Sequence, residues 1–456
     1  MMNTDPEQVR STIDSILSDM SDHLWLFTSN PGHDFMRQHL GKLSFRDTMR
    51  LILSMGKETL SDELVKYFDM DVDCIPSPSA FVQRRRQILP SAFQYLFHEF
   101  STSFPQTTHR FKDRCILACD GTHVVYTTNS EIIEDYNKPR MEDRKGYNHM
   151  HLNALVDVIS KAFLDVVIQP GQHPDERSAL HEMLDHFCPE DPDRYIITAD
   201  RGYESYDLIF HCELKNLSYV FRVKAPSSPT SLLSTFKEEL PDHLDHFDVY
   251  VQRFFTDKKT KIMKDNTDVY LYMNPNKNVP HLYPLLGEHH LAYLKIRVLK
   301  IRSSEDSCEY IITNLPYSFS PEDIKACYHW RWGCEISFRY LKHAAGLLYF
   351  HSKSPEFLQQ EVYARLTMYN FGVFLANQAA AEYEKKKKKP GNKYRYSIDF
   401  SAALRKAKDY FLRRPDQKPV DIIRLLCRFV HAVKEEWFFR IYISQQTILD
   451  YLNSHL

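Results

Sequence analysis

Two aspartates stand where apolar stretches of the chain end. Asp120 closes the run CILACD and precedes Gly121, and Asp200 closes the run YIITAD and precedes Arg201-Gly202. Each run predicts a buried strand, and segments that follow such strands commonly carry the functional side chains of a fold. Aspartate is also a frequent turn former and helix cap. Either residue alone therefore leaves a purely structural role open.

A third acid lies in the segment YHWRWGCEISFRYLK, which has the spacing Y-x2-R-x3-E-x6-K at Tyr328, Arg331, Glu335 and Lys342. On one continuous helix over about 321–344, these four residues would fall within an arc of about 60°. A phenol, a guanidinium, a carboxylate and an ammonium on one stripe indicate a surface that meets phosphate and metal. The alternative is a solvated helix face with an ion pair between Arg331 and Glu335.

The segments around these residues predict an α/β architecture. Residues 112–200 give three strands, a helix and a fourth strand, with a hairpin that turns near Ser160-Lys161. This order is typical of a domain built on a mixed sheet. Alternating segments such as FDVYVQRFF and LAYLKIRVLKI predict a β-rich insertion over 225–306. The strand EYIITNLP and a helix capped by Ser320 then resume the earlier pattern.

The first 110 residues have apolar residues at helical spacing and include the basic cluster Arg84-Arg85-Arg86. Such a cluster could contact DNA in the manner of a helix-turn-helix. Equally, it could be the solvated basic face of a packing helix. The sequence leaves both alternatives open.

Positive charge is concentrated near the C-terminal end. The net charge is only −2, yet residues 328–418 contain 18 Lys and Arg against 8 Asp and Glu. One part of the chain could therefore face a polyanion while the rest stays acidic. Two apolar stretches, 356–380 and 420–433, are predicted to be helices, and the lysine run Lys385–Lys389 between them is predicted to be a solvated loop.

The bulk composition is that of a folded protein, with 43% hydrophobic and 26% charged residues. No run approaches the roughly 18 apolar residues that span a bilayer. The first residues also lack the basic-then-apolar order of a secretory signal. We therefore expect a cytoplasmic protein without a membrane partner.

The nine cysteines form no CxxC pair and no Cys/His spacing suited to zinc. Cys119, His123 and Glu204 lie close in sequence to the two aspartates, yet they do not predict a zinc or thiol site. Cys119 should point to the opposite face of its strand from Asp120.

With these motifs together, the sequence resembles the DDE transposases of bacterial insertion sequences, in the branch defined by the Y-R-E-K signature. The resemblance spans about residues 40–375, with supporting matches in DGTHV around Asp120, TADRGYES around Asp200 and the segment FHSKSPEFLQQEVYARLTMYNF. It implies an α/β fold: a ribonuclease H-like mixed sheet flanked by helices, with a β-rich insertion and helical N-terminal and C-terminal regions. The predicted divisions are a helical DNA-binding region (1–110), the catalytic domain in two parts (111–224 and 307–375), the insertion (225–306) and a basic helical region (376–456).

The resemblance also implies a two-metal active site, whose ligands would be Asp120, Asp200 and Glu335. The expected cofactors are two Mg²⁺ or Mn²⁺ ions, which prefer oxygen ligands. Such ions activate water or a 3′-hydroxyl and stabilise the leaving oxygen in a displacement at phosphorus. The residues expected to hold DNA phosphates are Tyr328, Arg331 and Lys342.

The implied partners are the terminal inverted repeats of a transposon and a target DNA, bound by a homodimer in a bacterial cell. Two alternatives remain at this point. One is a metal-dependent nuclease without strand transfer, and the other is a domesticated DNA-binding protein that no longer cuts. The second is disfavoured because acids at all three positions would repel phosphate without contributing to binding.

A hairpin intermediate is a further question, because relatives that form hairpins can stack an extruded base on a tryptophan of the insertion. This chain has tryptophan only at positions 25, 330, 332 and 437. Base extrusion needs an aromatic or similar platform. The candidates in the insertion, each more typical of a core residue, are Phe254, Phe255, Tyr270 and Tyr272.

Overall fold

The computed structural model describes residues 5–35, 43–104, 111–139, 146–274, 279–302, 307–387, 394–413 and 417–434. The α-helices are α1 (Pro6–Asp22), α2 (Leu24–Phe27), α3 (Phe45–Ser54), α4 (Leu60–Tyr67), α5 (Pro78–Arg86), α6 (Pro90–Thr102), α7 (Glu176–His186), α8 (Tyr206–Leu214), α9 (Lys261–Asp265), α10 (Pro321–Trp330), α11 (Gly333–His343), α12 (Pro355–Lys387), α13 (Phe400–Phe411) and α14 (Ile422–Leu426). The strands are β1 (Cys115–Tyr126), β2 (Tyr136–Asn137), β3 (Tyr147–Asp157), β4 (Ala162–Pro170), β5 (Tyr195–Ala199), β6 (Ser218–Val223), β7 (Phe247–Thr256), β8 (Tyr270–Tyr272), β9 (Leu291–Arg302), β10 (Cys308–Thr313), β11 (Tyr394–Ile398) and β12 (Val430–Lys434).

One large mixed sheet organises the fold. Strands β4, β3 and β1 pair antiparallel in that order, and β5 and β6 continue the sheet parallel to β1. Three antiparallel strands followed by two parallel ones, flanked by helices, are the ribonuclease H-like arrangement, and the predicted fold class is confirmed. The predicted hairpin is also present: it turns through Lys161, whose φ is 68°, while Asp157 Oδ1 accepts hydrogen bonds from the N–H groups of Ile159 and Ser160.

The predicted insertion contains strands, as the alternating pattern indicated, but they extend the same sheet. β7, β8 and β9 join it through β10, which pairs antiparallel with both β6 and β9. The boundaries of the predicted domains stay predictions.

Apolar side chains pack on both faces of the sheet. Along β1, Ile116 and Ala118 belong to the core shared with the N-terminal helices and α12, whereas Leu117 and Cys119 belong to the core shared with α7 and α8. Because side chains alternate along a strand, Asp120 continues the first series. Its carboxylate therefore emerges on the face that α10 and α11 cover.

Three sequence predictions about helices are wrong in part. The single helix expected over 321–344 is divided into α10 and α11 at Arg331-Trp332. The lysine run was expected in a loop, yet Lys385, Lys386 and Lys387 are the last turn of α12, and Lys388 and Lys389 lie outside the described residues. The helix expected over 420–433 ends early, since the chain enters β12, which pairs with β11.

Within the described ranges, none of the helices combines the length and apolar character needed to cross a bilayer. Trp437 lies outside the described residues.

Candidate active site

Asp120 lies in the middle of β1, whereas the sequence pattern placed it at the strand end. The parallel pairing with β5 stops at Ala118 and Thr198, but the antiparallel pairing with β3 continues to Tyr126. Asp120 therefore stands just beyond the point where β5 leaves the side of β1. Its Oδ1 accepts a hydrogen bond of 3.0 Å from the N–H of Gly121.

Asp200 immediately follows β5, as predicted. Its side chain caps a 3₁₀ turn over Arg201–Tyr203, with the N–H of Gly202 donating to Oδ1 at 2.6 Å. Because β1 and β5 run parallel side by side, Asp120 and Asp200 emerge at the same edge of the sheet. Asp200 therefore does cap a helical turn, which is the structural role that the sequence left open. The cap uses Oδ1 only, and Oδ2 takes no part in it.

Glu335 reaches this edge because the chain tightens between α10 and α11. Arg331 and Trp332 donate their N–H groups to carbonyls three residues back, Tyr328 and His329, and this 3₁₀ spacing interrupts the α-helix. Gly333 then packs against Val158 so closely that a Cβ there would lie 3.0 Å from the Val158 Cβ.

The break changes which side chains share a face. Tyr328 turns into the core, where it is 2% exposed, while Glu335 stands in the first turn of α11 with its side chain 34% exposed. The 60° stripe assumed one continuous helix, which the break between α10 and α11 removes. The Tyr328 ring still lies 5.8 Å from the guanidinium carbon of Arg331, and a phosphate contact by Tyr328 stays a prediction.

Arg331 lies between two of the acids. Its Nη1 is 3.4 Å from Asp120 Oδ2, and its Nη2 is 4.0 Å from Glu335 Oε1. The guanidinium is 5% exposed, and its Nε is buried with no hydrogen-bond partner among the described residues. A single buried cation thus holds two carboxylates that would otherwise repel each other.

The electrostatics of the acids show that they share one site. Burial raises the pKa of Asp120 to about 6, with Arg331 opposing that rise and Asp200 adding to it. Burial likewise raises the pKa of Glu335 to about 7, and both Asp120 and Asp200 contribute repulsion. All three carboxylates therefore lie within electrostatic reach of one another. A bound cation would stabilise the ionised forms of these acids.

The donor set fits divalent metal ions with a preference for oxygen. It consists of carboxylates that remain partly accessible at a sheet edge, which is the ligand type of Mg²⁺ and Mn²⁺. The oxygens of the three carboxylates are not all within 4.8 Å of one another.

Lys342 approaches the same region from the last turn of α11. Its Nζ donates to Thr122 Oγ1 at 2.7 Å and to the carbonyl of His123 at 2.8 Å, and burial lowers its pKa. The ammonium is therefore fixed over the part of β1 that follows Asp120. A phosphate contact by Lys342 stays a prediction.

Two neighbours of the site, Glu176 and His151, were missed by sequence reasoning. Glu176 is in the first turn of α7, and its Oε1 lies 3.1 Å from His151 Nε2. Glu176 also contributes to the raised pKa of Asp120. Gly121 allows this approach, because a Cβ there would lie 2.3 Å from His151 Nε2 and 2.5 Å from the Glu176 carboxylate. A glutamate at a helix start is so common that the sequence offered no signal for Glu176.

Two of the residues that were set aside as a zinc or thiol site, Cys119 and Glu204, have structural contacts. Cys119 is fully buried on the opposite face of β1 from Asp120, and burial raises its pKa far above the normal thiol value. The Glu204 carboxylate accepts hydrogen bonds from the N–H groups of Lys224 and Leu232.

The arginine cluster of α5 is divided between core and surface. Arg85 is 2% exposed and forms an ion pair of 2.9 Å with the buried Glu361 of α12. It also donates to the carbonyl of Phe357. The suggested DNA contact is therefore wrong for Arg85, which anchors α5 to α12. For Arg84, which is half-buried beside Phe35, and for the exposed Arg86, DNA contact stays a prediction.

The four aromatic residues considered for stacking an extruded base differ in burial. Phe255 is fully buried against Tyr206 and Phe210, which makes it a core residue, as its position favoured. The partly exposed candidates are Phe254, Tyr270 and Tyr272.

Comparison with known proteins shows the family of this chain. The family described as transposase DDE domain matches residues 111–371. This match covers more than half of the chain, and the protein belongs to that family. Among solved structures, the cryo-EM structure of the piggyBac transposase synaptic complex with hairpin DNA is similar, with 10% identity, a TM-score of 0.42 and coverage of 93% of this chain and 85% of that one. A comparison with curated protein sequences finds no match.

Proposed function

We propose that this protein is a metal-dependent DNA transposase of the Y-R-E-K branch, encoded by a bacterial insertion sequence. It cleaves DNA at the terminal inverted repeats of its element and joins the freed ends to target DNA. The observation that carries the proposal is the convergence of Asp120, Asp200 and Glu335 at one accessible sheet edge. Membership of the transposase DDE domain family supports it.

In this proposal the three carboxylates are the ligands of two Mg²⁺ or Mn²⁺ ions. When bound, the ions supply activation of the attacking hydroxyl and stabilisation of the leaving oxygen. Asp120 and Asp200 each accept a backbone N–H at Oδ1, and Asp120 Oδ2 lies 3.4 Å from Arg331 Nη1. No side chain of the protein needs to form a bond to the substrate.

The cations beside the carboxylates position DNA. Arg331 has a buried Nε donor without a partner among the described residues, and a guanidinium matches the oxygens of a phosphate in a fork. Lys342 contributes a point charge from the same helix as Glu335. DNA that enters the site thus meets two positive groups next to the acids that would otherwise repel it.

The proposal also covers the oligomeric state and the cellular location. Two transposon ends must be paired before strand transfer, so the active form is a homodimer bound to two ends. It acts in the cytoplasm, on the nucleoid when bound to DNA.

The test uses a plasmid that carries the gene with its native flanking DNA. Purified full-length protein is incubated with Mg²⁺, and nicks and double-strand breaks are mapped at the flanks. The substitutions Asp120→Asn, Asp200→Asn and Glu335→Gln should each abolish cleavage while leaving DNA binding intact. The matched controls Asp193→Asn and Glu322→Gln replace exposed acids and should cleave normally. Normal cleavage by any one of the first three variants would exclude that residue as an essential ligand.

A second substrate separates the proposal from its alternatives. Precleaved flank DNA with a 3′-hydroxyl is supplied together with a target plasmid, and joined products are counted. Joining supports a transposase. Cleavage without joining would identify a nuclease, and binding without either reaction would identify a DNA-binding protein.

A further inference from the structure

A cluster of three histidines lies away from the acidic site. His181 is on α7, His211 is on α8, and His281 is on a short 3₁₀ helix, Pro280–Leu285, between β8 and β9. One ring nitrogen from each lies within 4.8 Å of the other two, and among the described residues this is the one group of three or more His, Cys, Asp or Glu side chains that meets this spacing. His211 is buried, and the other two are half-buried.

Each ring turns one nitrogen outward to a carboxylate. Asp207 Oδ2 lies 2.8 Å from His281 Nδ1 and 3.3 Å from His181 Nε2. Asp185 Oδ1 lies 3.1 Å from His211 Nε2. The contact of His281 Nδ1 with Asp207 Oδ2 is a hydrogen bond, so Nδ1 of His281 carries the N–H group and its Nε2 faces the cluster with a lone pair.

The inner nitrogens of the cluster lie close together. The Nδ1 atoms of His181 and His211 are 2.9 Å apart, a distance at which a proton or another cation lies between them. Two neutral rings share that proton as a hydrogen bond from one ring to the other, and a bound metal ion would take its place.

We propose that His181, His211 and His281 bind a divalent transition-metal ion, with Zn²⁺ as the preferred occupant. Neutral imidazole nitrogens suit Zn²⁺, whereas Mg²⁺ prefers oxygen. Histidines that bind zinc commonly donate their other N–H to a carboxylate, which is the part that Asp207 and Asp185 play here. The fourth position is open to water.

The rings must reorient to bind. They are within 13° of parallel, so each has to turn about its Cβ–Cγ bond until the three lone pairs meet. Nitrogens bound tetrahedrally to zinc at about 2.05 Å are about 3.3 Å apart, a few tenths of an ångström more than the present Nδ1–Nδ1 distance. His211 and His281 are also stacked at 3.9 Å between ring centroids, so His281 makes the largest turn.

The site would fasten the 280–285 segment to the helices behind the active-site strands. α7 follows β4, and α8 follows the turn that holds Asp200. Asp207 already contributes to this junction, because its Oδ1 accepts the N–H of His281 at 3.0 Å. The ion is therefore structural, and it is separate from the ions proposed for the carboxylates.

The test is the metal content of full-length protein purified without chelators from zinc-supplemented cells. An Asp120→Asn background removes one carboxylate ligand of the acidic site, so that the metal counted belongs to the histidines. We expect close to one zinc per chain, an unchanged content in the exposed control His173→Ala, and loss of the zinc in His281→Ala. Zinc well below one equivalent in the parent, or equal zinc in His281→Ala, would overturn the proposal.

A second measurement covers the case in which His281→Ala does not fold. Chelator-treated parent protein is titrated with Co²⁺, which gives visible absorption when bound at a four-coordinate nitrogen site. Saturable absorption that Zn²⁺ abolishes supports the site. No absorption at saturating Co²⁺ overturns it, whatever the result of the DNA-cleavage assays.

Discussion

The acidic site makes the folded protein less stable than it could be when no metal is bound, and Asp120→Asn should reveal this cost. The Asp120 side chain is only 19% exposed, and burial raises its pKa from 3.8 to about 6. At about 1.4 kcal/mol for each unit, ionisation of Asp120 costs the folded state up to about 3 kcal/mol. That value already includes the attraction of Arg331. Asparagine has the shape of the neutral acid and avoids the cost.

The pH dependence follows from the direction of the shift. Between about pH 4 and pH 6 the folded protein retains a proton that the unfolded chain has lost, so the wild-type protein loses stability as the pH rises through this window. Above about pH 6 the full cost is present. In EDTA at pH 8, Asp120→Asn should therefore be more stable than wild type by up to about 3 kcal/mol, and the difference should vanish toward pH 4.

The assay is urea unfolding followed by tryptophan fluorescence, with and without Mg²⁺. Mg²⁺ should stabilise wild type by about 2.7 kcal/mol at a concentration a hundred times its Kd, and it should stabilise Asp120→Asn much less. Asp268→Asn, at an exposed position, is the control and should change neither quantity. If Asp120→Asn were equal to or less stable than wild type at pH 8 in EDTA, the electrostatic argument for the site would fail.

Three further predictions address other parts of the site and fold. The Mg²⁺-supported cleavage rate should rise with pH between 6 and 8, because Glu335, whose pKa is about 7, must lose its proton to bind metal; a flat rate profile across this range would contradict that role. Lys342→Ala should reduce the slope of log binding constant against log salt by about 1, measured by fluorescence anisotropy, and an unchanged slope would count against its phosphate contact. Arg85→Ala should destabilise the protein by about 3 kcal/mol, since it removes the guanidinium paired with the buried Glu361 and leaves that acid only His351 as an ion-pair partner, whereas Arg86→Ala should melt at the wild-type temperature; equal melting of both variants would refute the difference in burial.

The sequence predicted the elements whose cause is local. The helix start at Ser320 was recognisable because two signals lie within four residues. Ser320 and Asp323 form a capping box, and Pro321 occupies the first helical position. Strand periodicity identified four of the five strands of the ribonuclease H-like sheet and the hairpin at Lys161. The position of Asp200 after a strand was also clear, since β5 is short and mostly apolar.

What the sequence did not predict depends on contacts between distant segments. The break between α10 and α11 accompanies the close packing of Gly333 on Val158, so helical spacing alone could not give the orientation of Tyr328 relative to Glu335. Arg85 looked like a surface residue because its partner, Glu361, is 276 residues away. β1 continues past Asp120 because β3 is long enough to pair with it. The histidine cluster had no signal either, since its members come from three separate elements.

The roles of Asp120, Asp200 and Glu335 as metal ligands are best tested by crystals of the full-length protein soaked in Mn²⁺. Anomalous diffraction should show peaks about 2.1 Å from oxygens of all three carboxylates, and the peaks should be absent in crystals of Glu335→Gln treated in the same way. A wild-type map with no peak between these side chains at saturating Mn²⁺, or with Glu335 turned away from the other two, would contradict the account.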